Sequence, residues 1–390
     1  MIVKKIPYGR QWIDQRDVDA VVSALHSDWL TTGPKVDEFE KAFCDFTGTP
    51  HSVAMANGTA ALHAMMHAVG IGPGDEVIVP ALTFAASANA VVYLGGTPVF
   101  ADIDPGTLTL DPKSVEGKIT SKTKAILAVD YAGQPCDYDR LDQIAGDNKV
   151  FLLADACHSL GATYKGKKIG TLAALTAFSF HPVKHITTGE GGMVTGKSSE
   201  LCGRVKRFRN HGLSSEARKR EEVGAWHYDM EELGFNYRLS DIQCALGLSQ
   251  LTKLPTWIEK RQEIAQKYRK AFEGSGFRPL TEREPGHSYH LFVIRAEGAG
   301  QGQRDEIIKA LRNDGIMATV HYRPVYQLNY YKKIFKGNKI SCPIAETAFE
   351  EILSIPLYPN LTMNEVDYVI EKILEKTQFL VQRPKLAVHG

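Results

Sequence analysis

Asp155 closes an apolar run, Leu152, Leu153, Ala154, and is followed by Ala156, Cys157 and His158, which sets a carboxylate at the mouth of a strand. An acid in that place serves several chemistries: it binds magnesium, caps a helix, pairs with a buried base or holds a cofactor. Lys184 follows 29 positions later, after Phe178, Ser179, Phe180, His181, Pro182 and Val183, and before the glycine-rich Gly189, Glu190, Gly191, Gly192. An ammonium beside a core is costly unless its pKa falls or its charge is matched. A lysine whose stem snorkels from a strand end is the plainer reading when Lys184 is taken alone. The pair shifts the balance. An acid that keeps a pyridine nitrogen protonated and a lysine that condenses with an aldehyde are two groups that pyridoxal 5′-phosphate (PLP) requires.

A third requirement is a phosphate cradle. Asn57, Gly58, Thr59, Ala60, Ala61, Leu62 reads as a strand-to-helix turn whose first N–H groups, with the Thr59 hydroxyl, suit a dianion at a helix N-terminus. By itself such a turn is only a capped helix start. Ser179 offers a second hydroxyl. Phe84, in Pro80, Ala81, Leu82, Thr83, Phe84, is an aromatic just past a strand that can lie against one face of the cofactor ring, with His158 near the other; either also suits a core. Phosphate turn, aromatic, acid and lysine, in that order, make a joint pattern stronger than its parts. The expected cofactor contacts are Gly58, Thr59, Ala60, Phe84, Asp155, His158, Ser179 and Lys184.

The elements that must position these groups follow an α/β rhythm between residues 50 and 200. Seven short runs rich in Val, Ile, Ala and Phe read as strands: Ser52 to Met55, Glu76 to Val79, Pro98 to Ala101, Ala125 to Val129, Phe151 to Ala154, Leu175 to Phe180 and Gly192 to Thr195. Helical patterns at Thr59 to Val69 and Ala85 to Leu94 suit crossovers in a largely parallel sheet covered on both faces, and ligands of such sheets gather at the carboxyl ends of the strands. A charge-dense connector, Ser214 to Glu222, precedes a helical pattern from Ser240 to Phe272. Beyond it, His290 to Arg295 and Met317 to His321 read as strands, flanked by helices near Asp305 to Asn313 and Met363 to Lys376. The expected division is a large cofactor domain over 1–250 and a smaller C-terminal α/β domain over 251–390. A further helix, near Gln15 to His26, has no packing partner that the sequence assigns.

Composition narrows the function class. Lys plus Arg number 46 against 45 Asp plus Glu, a net charge of +1, so no global field favours nucleic acid or an anionic membrane. No apolar run approaches the roughly 20 residues of a membrane span, and the opening residues have no signal-peptide pattern. A soluble cytoplasmic protein is expected. The six cysteines are scattered, without CxxC or zinc-ligand spacing, and read as reduced and structural rather than metal-binding.

At these residues the chain resembles the DegT/DnrJ/EryC1/StrS sugar aminotransferases, among the fold type I PLP enzymes. The likeness is carried by NGTAAL (Asn57 to Leu62), DACHSLGA (Asp155 to Ala162), FSFHPVKHITTGEGG (Phe178 to Gly192) and GFNYRLSDIQCALGL (Gly234 to Leu248). It implies a central, mostly parallel seven-stranded sheet, covalent attachment of PLP to Lys184, and Asp155 on the pyridine nitrogen. It places Thr59, Ala60 and Ser179 on the phosphate and Asn236 on the phosphate of a neighbouring subunit, so that two chains form a homodimer with composite sites. Asn236 and Arg238, without the resemblance, read as a solvated loop. One subset of the family carries His in place of the lysine and dehydrates; Lys184 favours transamination. The opening IPYGRQWID, the segments WLTTGP (Trp29 to Pro34) and HYRPVY (His321 to Tyr326), and His181 resemble the pseudaminic acid pathway transaminases most. That implies L-glutamate as donor and a UDP-linked 4-keto-6-deoxy-2-acetamido hexose as acceptor. Tyr8, Thr31, His181, Arg238, His321 and Tyr322 are the candidate substrate contacts. An aminotransferase of the GDP-perosamine or dTDP-amino-sugar type, a 3-aminotransferase, a dehydratase and a catalytically silent binder of PLP or sugar stay open as alternatives, since fold does not fix chemistry.

Overall fold

The computed structural model describes residues 5–214, 224, 226–283, 286–337 and 340–380. From residue 215 onward the charge-dense connector lies outside the described residues. The elements begin with β1 (Ile6–Pro7), α1 (Gln15–Leu25), α2 (Pro34–Thr47), β2 (His51–Met55), α3 (Gly58–Ala68), β3 (Glu76–Pro80), α4 (Ala85–Val92) and β4 (Thr97–Ala101). They continue with α5 (Pro112–Glu116), β5 (Thr123–Val129), α6 (Tyr138–Asn148), β6 (Phe151–Asp155), a small hairpin of β7 (Thr163–Tyr164) and β8 (Lys167–Lys168), β9 (Leu175–Ser179), β10 (Gly192–Gly196) and α7 (Ser199–Arg209).

Seven of these strands form one sheet in the order β2-β10-β9-β6-β5-β3-β4, all parallel except β10, which is antiparallel to both neighbours. All seven fall where apolar runs predict strands. The runs are nearly continuous because both faces are buried, and successive side chains go to opposite sides. Val77 and Val79 join a core with Ala61 and Met65 of α3, Ala88 of α4 and Phe208 of α7. Ile78 joins the opposite core, with Phe39 and Phe43 of α2 and Leu141 of α6. Since six strands run one way, the ends of β2, β6 and β9 meet along one edge of the sheet. Met55, Asp155 and Ser179 stand there.

The long helix α8 (Asp241–Phe272) then crosses from the second core to a third. Residue 250 falls inside this helix. Its capping box, in which Ser240 accepts from the Gln243 N–H and Gln243 reaches back to the Ser240 N–H, starts it firmly. Beyond it lie β11 (Phe277–Pro279), β12 (Phe292–Ala296), α9 (Gln301–Asn313), β13 (Ile316–Met317), α10 (Asn329–Ile334), α11 (Pro343–Glu351), β14 (Ile352–Ile355) and α12 (Met363–Leu374). Strands β11, β12 and β14 make an antiparallel sheet with β12 in the middle. This sheet shares its core with Tyr268 and Phe272 of α8, Ile307 and Leu311 of α9 and Val366 and Val369 of α12.

Two features differ from expectation or complete it. The strand expected over Met317 to His321 is only β13, paired parallel with β1 through Ile6 and Pro7, plus an isolated bridge from Thr319 to Ser354. Beyond Thr319 the chain leaves the ladder and carries His321 and Tyr322 toward the edge of the large sheet. The partner of α1 is α8. Lys253, itself buried, reaches Asp14 at 2.5 Å and the wholly buried Asp17 at 2.8 Å, while Gln250 and Ser249 donate to Asp17 at 2.8 and 2.6 Å. A buried carboxylate matched by a cation and two further donors meets the condition under which such burial is tolerated.

Candidate active site

A cavity of about 860 Å³ opens at the carboxyl edge of the parallel strands. Twelve expected site residues line it: Tyr8, Gly58, Thr59, Ala60, Phe84, Asp155, His158, Ser179, His181, Lys184, His321 and Tyr322. Thr31, Asn236 and Arg238 do not. Thr31 is exposed and bridges to Ser240, Asn236 is exposed, and Arg238 donates to the Asn210 side chain at 2.8 Å. Their neighbours Phe235 and Tyr237 line the cavity instead, with rings stacked 4.9 Å apart. Residues 235 to 238 therefore alternate in the manner of extended backbone, with Phe235 and Tyr237 on the cavity and Asn236 and Arg238 off it.

The turn before α3 is a capped helix start. Asn57 is the N-cap, and its side chain accepts from the Ala60 N–H at 2.8 Å. This engages Ala60 and leaves the N–H groups of Gly58 and Thr59 as the first-turn donors outside the i→i−4 ladder. Gly58 is required by close approach: a Cβ there would lie 2.8 Å from the Ser179 Cβ, 3.2 Å from its Oγ and 3.3 Å from the Cys157 Sγ. The missing side chain lets the helix start and the end of β9 come together, so that Gly58, Thr59 and the Ser179 hydroxyl line one cavity.

Asp155 ends β6 and is buried. Its Oδ2 accepts from the Ser87 hydroxyl at 2.7 Å, and its Oδ1 from the Cys157 N–H at 3.2 Å. Ser87, on α4, was not legible as a site residue. It is a lone serine in a run of alanine and valine, and only its place one turn beyond Thr83 hinted at a shared face. Lys184 is half-buried in a turn in which its N–H donates to the His181 carbonyl at 2.8 Å. Burial pushes its ammonium below the ordinary lysine range, while Cys157 and Asp155 hold it up. Such a lysine gives up its proton more readily than a surface one.

His158 is buried and kept neutral by desolvation, aided by the positive field of Lys184. Its Nε2 lies 3.2 Å from the Tyr322 hydroxyl, and its ring centre lies 4.3 Å from that of His290. Its Nδ1 is buried without a hydrogen-bond partner among the described residues. His321 bonds the Ser354 hydroxyl through Nδ1 at 2.8 Å, and burial lowers its pKa to about 4. Tyr8 packs against the His321 ring at 5.0 Å. Phe84 keeps an exposed ring, 5.8 Å from that of Tyr322. One wall thus carries neutral imidazoles and phenols, and the floor carries an acid and an amine.

These residues fit PLP. The space that a Gly58 side chain would fill stands beside the Ser179 hydroxyl and first-turn N–H groups, a buried carboxylate is pinned at the cavity, and a half-buried amine of lowered pKa faces it.

The model of the DegT/DnrJ/EryC1/StrS aminotransferase family matches residues 11–374. The spore coat polysaccharide biosynthesis protein SpsC of Bacillus subtilis is 40% identical over 373 residues, which cover 94% of this chain and 96% of that protein. The PLP form of Spr1654 from Streptococcus pneumoniae superposes with a TM-score of 0.91 at 35% identity, covering 97% of this chain and 100% of that one. Helicobacter pylori PseC, an aminotransferase involved in the biosynthesis of pseudoaminic acid, gives a TM-score of 0.90 at 33% identity over 96% of this chain and 100% of its own. The fold is that of the fold type I PLP-dependent transferases. With matches that run almost from end to end, the chain belongs to the DegT/DnrJ/EryC1/StrS aminotransferase family.

Proposed function

We propose that this sugar aminotransferase moves the amino group of L-glutamate to the C4 ketone of a UDP-linked 4-keto-6-deoxy-2-acetamido hexose. The observation that supports amino transfer is the placement of Lys184 and the pinned Asp155 in one cavity beside the Gly58 and Ser179 cradle. The likeness to PseC supports the choice of sugar. The cofactor is PLP, which supplies an electron sink when bound.

The chain's own groups have separate tasks. Gly58, Thr59 and Ser179 hold the phosphate. Asp155 keeps the ring nitrogen protonated, and Lys184 anchors the aldehyde. Lys184 also holds and moves the proton at its Nζ, because burial pushes its ammonium below the ordinary lysine range and eases release of that proton. His158 and Phe84 confine the ring. His158 does so as a neutral imidazole, which adds no repulsion to a protonated heterocycle. Tyr8, His181, His321 and Tyr322 present hydroxyl and imidazole groups to a sugar.

The donor carboxylates and the diphosphate need cations. Among the described residues Lys184 is the only lysine or arginine lining the cavity. Arg238 and Asn236 stand outside it, a few residues along the chain from Trp226, Tyr228, Met230 and Leu233, all large side chains left exposed. Such a surface suits burial against a second copy, and we assign Asn236 to the partner's cofactor phosphate and Arg238 to an anionic group of its substrate.

The test supplies the PLP-loaded chain with 15N-labelled L-glutamate and a panel of UDP-, GDP- and dTDP-linked 4-keto sugars, and locates the new amine by mass spectrometry and NMR. Label at C4 of the UDP-linked acetamido sugar is expected. Faster turnover of a GDP- or dTDP-linked sugar overturns the choice of acceptor, amination at C3 overturns the position, and no product from any sugar overturns the enzyme reading. Mixing Lys184→Ala chains with Asn236→Ala chains restores activity if the site is shared between subunits; no recovery after subunit exchange refutes the shared site.

A further inference from the structure

Behind Asp155, two hydroxyls lie in a row. The Thr83 Oγ1 is 2.8 Å from the Ser87 Oγ, and the Ser87 Oγ is 2.7 Å from the Asp155 Oδ2. Ser87 is wholly buried and Thr83 nearly so, at 2% exposure. Thr83 stands just before Phe84, the N-cap of α4, and Ser87 lies in the first turn of the helix, so the chain entering α4 brings the two hydroxyls together beside the end of β6.

Chemistry fixes the direction of this row. An ionised carboxylate only accepts hydrogen bonds, so Ser87 must spend its single proton on Asp155. The Ser87 oxygen is then free only to accept, and Thr83 must be its donor. Donation runs Thr83 to Ser87 to Asp155. Each bond polarises the next, and both favour the anionic acid. The other oxygen, Oδ1, is held by the Cys157 N–H at 3.2 Å. With a donor on each oxygen, and the Cys157 thiol also in hydrogen-bonding reach of the carboxylate, its plane is held against turning at the edge of the cavity.

We propose that Ser87, polarised by Thr83, is a positioning residue that holds Asp155 as an anion aimed at the ring nitrogen of the cofactor. It touches neither cofactor nor substrate and acts through Asp155 alone. The proposal rests on the role given to Asp155 above.

The test compares binding of PLP with binding of its carbocyclic analogue, which keeps the aldehyde and phosphate but has carbon in place of the ring nitrogen. Both are titrated into apo protein by fluorescence, with a melting curve to verify folding. Ser87→Ala is expected to weaken PLP about tenfold and the analogue less than twofold, and Thr83→Val to do the same to a smaller degree, about threefold. Ser87→Thr, which keeps the hydroxyl, restores the preference for PLP. Equal weakening of both ligands, or no change in either, overturns the proposal. Asp155→Asn separates the two readings. If it abolishes the preference for PLP while Ser87→Ala keeps it, Asp155 stands and Ser87 falls; if Asp155→Asn keeps the preference, the role of Asp155 fails as well.

Discussion

The hydroxyl of Tyr322 lies 3.2 Å from Nε2 of His158, a bond between residues 164 positions apart. It ties the segment that follows β13 to the loop after β6 across one wall of the cavity. Tyr322→Phe removes the bond and leaves the buried imidazole short of a partner. The expected loss is about 1 kcal/mol of stability by denaturant titration and a fall of about fivefold to tenfold in turnover, with PLP still bound. Turnover equal to wild type would show that His158 is held by packing alone.

Gly58→Ala puts a methyl group 2.8 Å from the Ser179 Cβ, closer than side-chain carbons approach. Either the start of α3 or the end of β9 must move, and the phosphate donors with it. We expect a stability loss of about 1–3 kcal/mol and PLP affinity reduced by about tenfold or more, both measured on apo protein. Unchanged affinity would place the phosphate elsewhere.

Lys184→Met addresses the cost of the buried amine. The folded pKa of Lys184 lies below that of an unfolded lysine, so the ammonium is worse placed in the folded chain than in water. That penalty is present in full below the folded pKa, shrinks as pH rises from there to the unfolded value, and vanishes above it. Apo Lys184→Met is expected to melt higher than apo wild type at pH 7, with the gap narrowing toward pH 10. A lower melting temperature at pH 7 would mean that Asp155 and Cys157 outweigh desolvation.

Several histidines must stay neutral in the folded chain. Burial lowers His63 and His321 to about 4 and His287 to about 3, and Nδ1 of His287 accepts the Tyr289 N–H at 2.8 Å. The unfolded chain takes up protons near 6.5, so between that value and about 4 it binds more protons than the folded one. The stability due to these groups is present above about pH 6.5 and is lost as pH falls toward 4. Calorimetry of the apo chain from pH 7.5 to 4.5 should show a falling melting temperature with that onset. A flat profile down to pH 5 would contradict the neutral assignments.

The sequence alone determined the large sheet and the floor of the site. Strands buried on both faces need continuous apolar runs, and an acid or a lysine beside such a run is costly enough to stand out, as Asp155 and Lys184 did. The capped turn at Asn57 was legible for a local reason: cap, glycine and helix start are neighbours in the chain. What depends on groups brought together from far away was not legible. Strands β11 and β14 carry too little pattern, and the run from Met317 gave a strand longer than the one that formed, because pairing with β1 ends after two residues. The partner of α1 emerged only when Lys253 and Asp17 met. Nor could sequence separate the inward Phe235 and Tyr237 from the outward Asn236 and Arg238, though both pairs lay in one motif. Ser87 shows the limit most plainly. A serine among alanines has no meaning along the chain, and it gained one only when the packing of α4 set its hydroxyl 2.7 Å from a carboxylate.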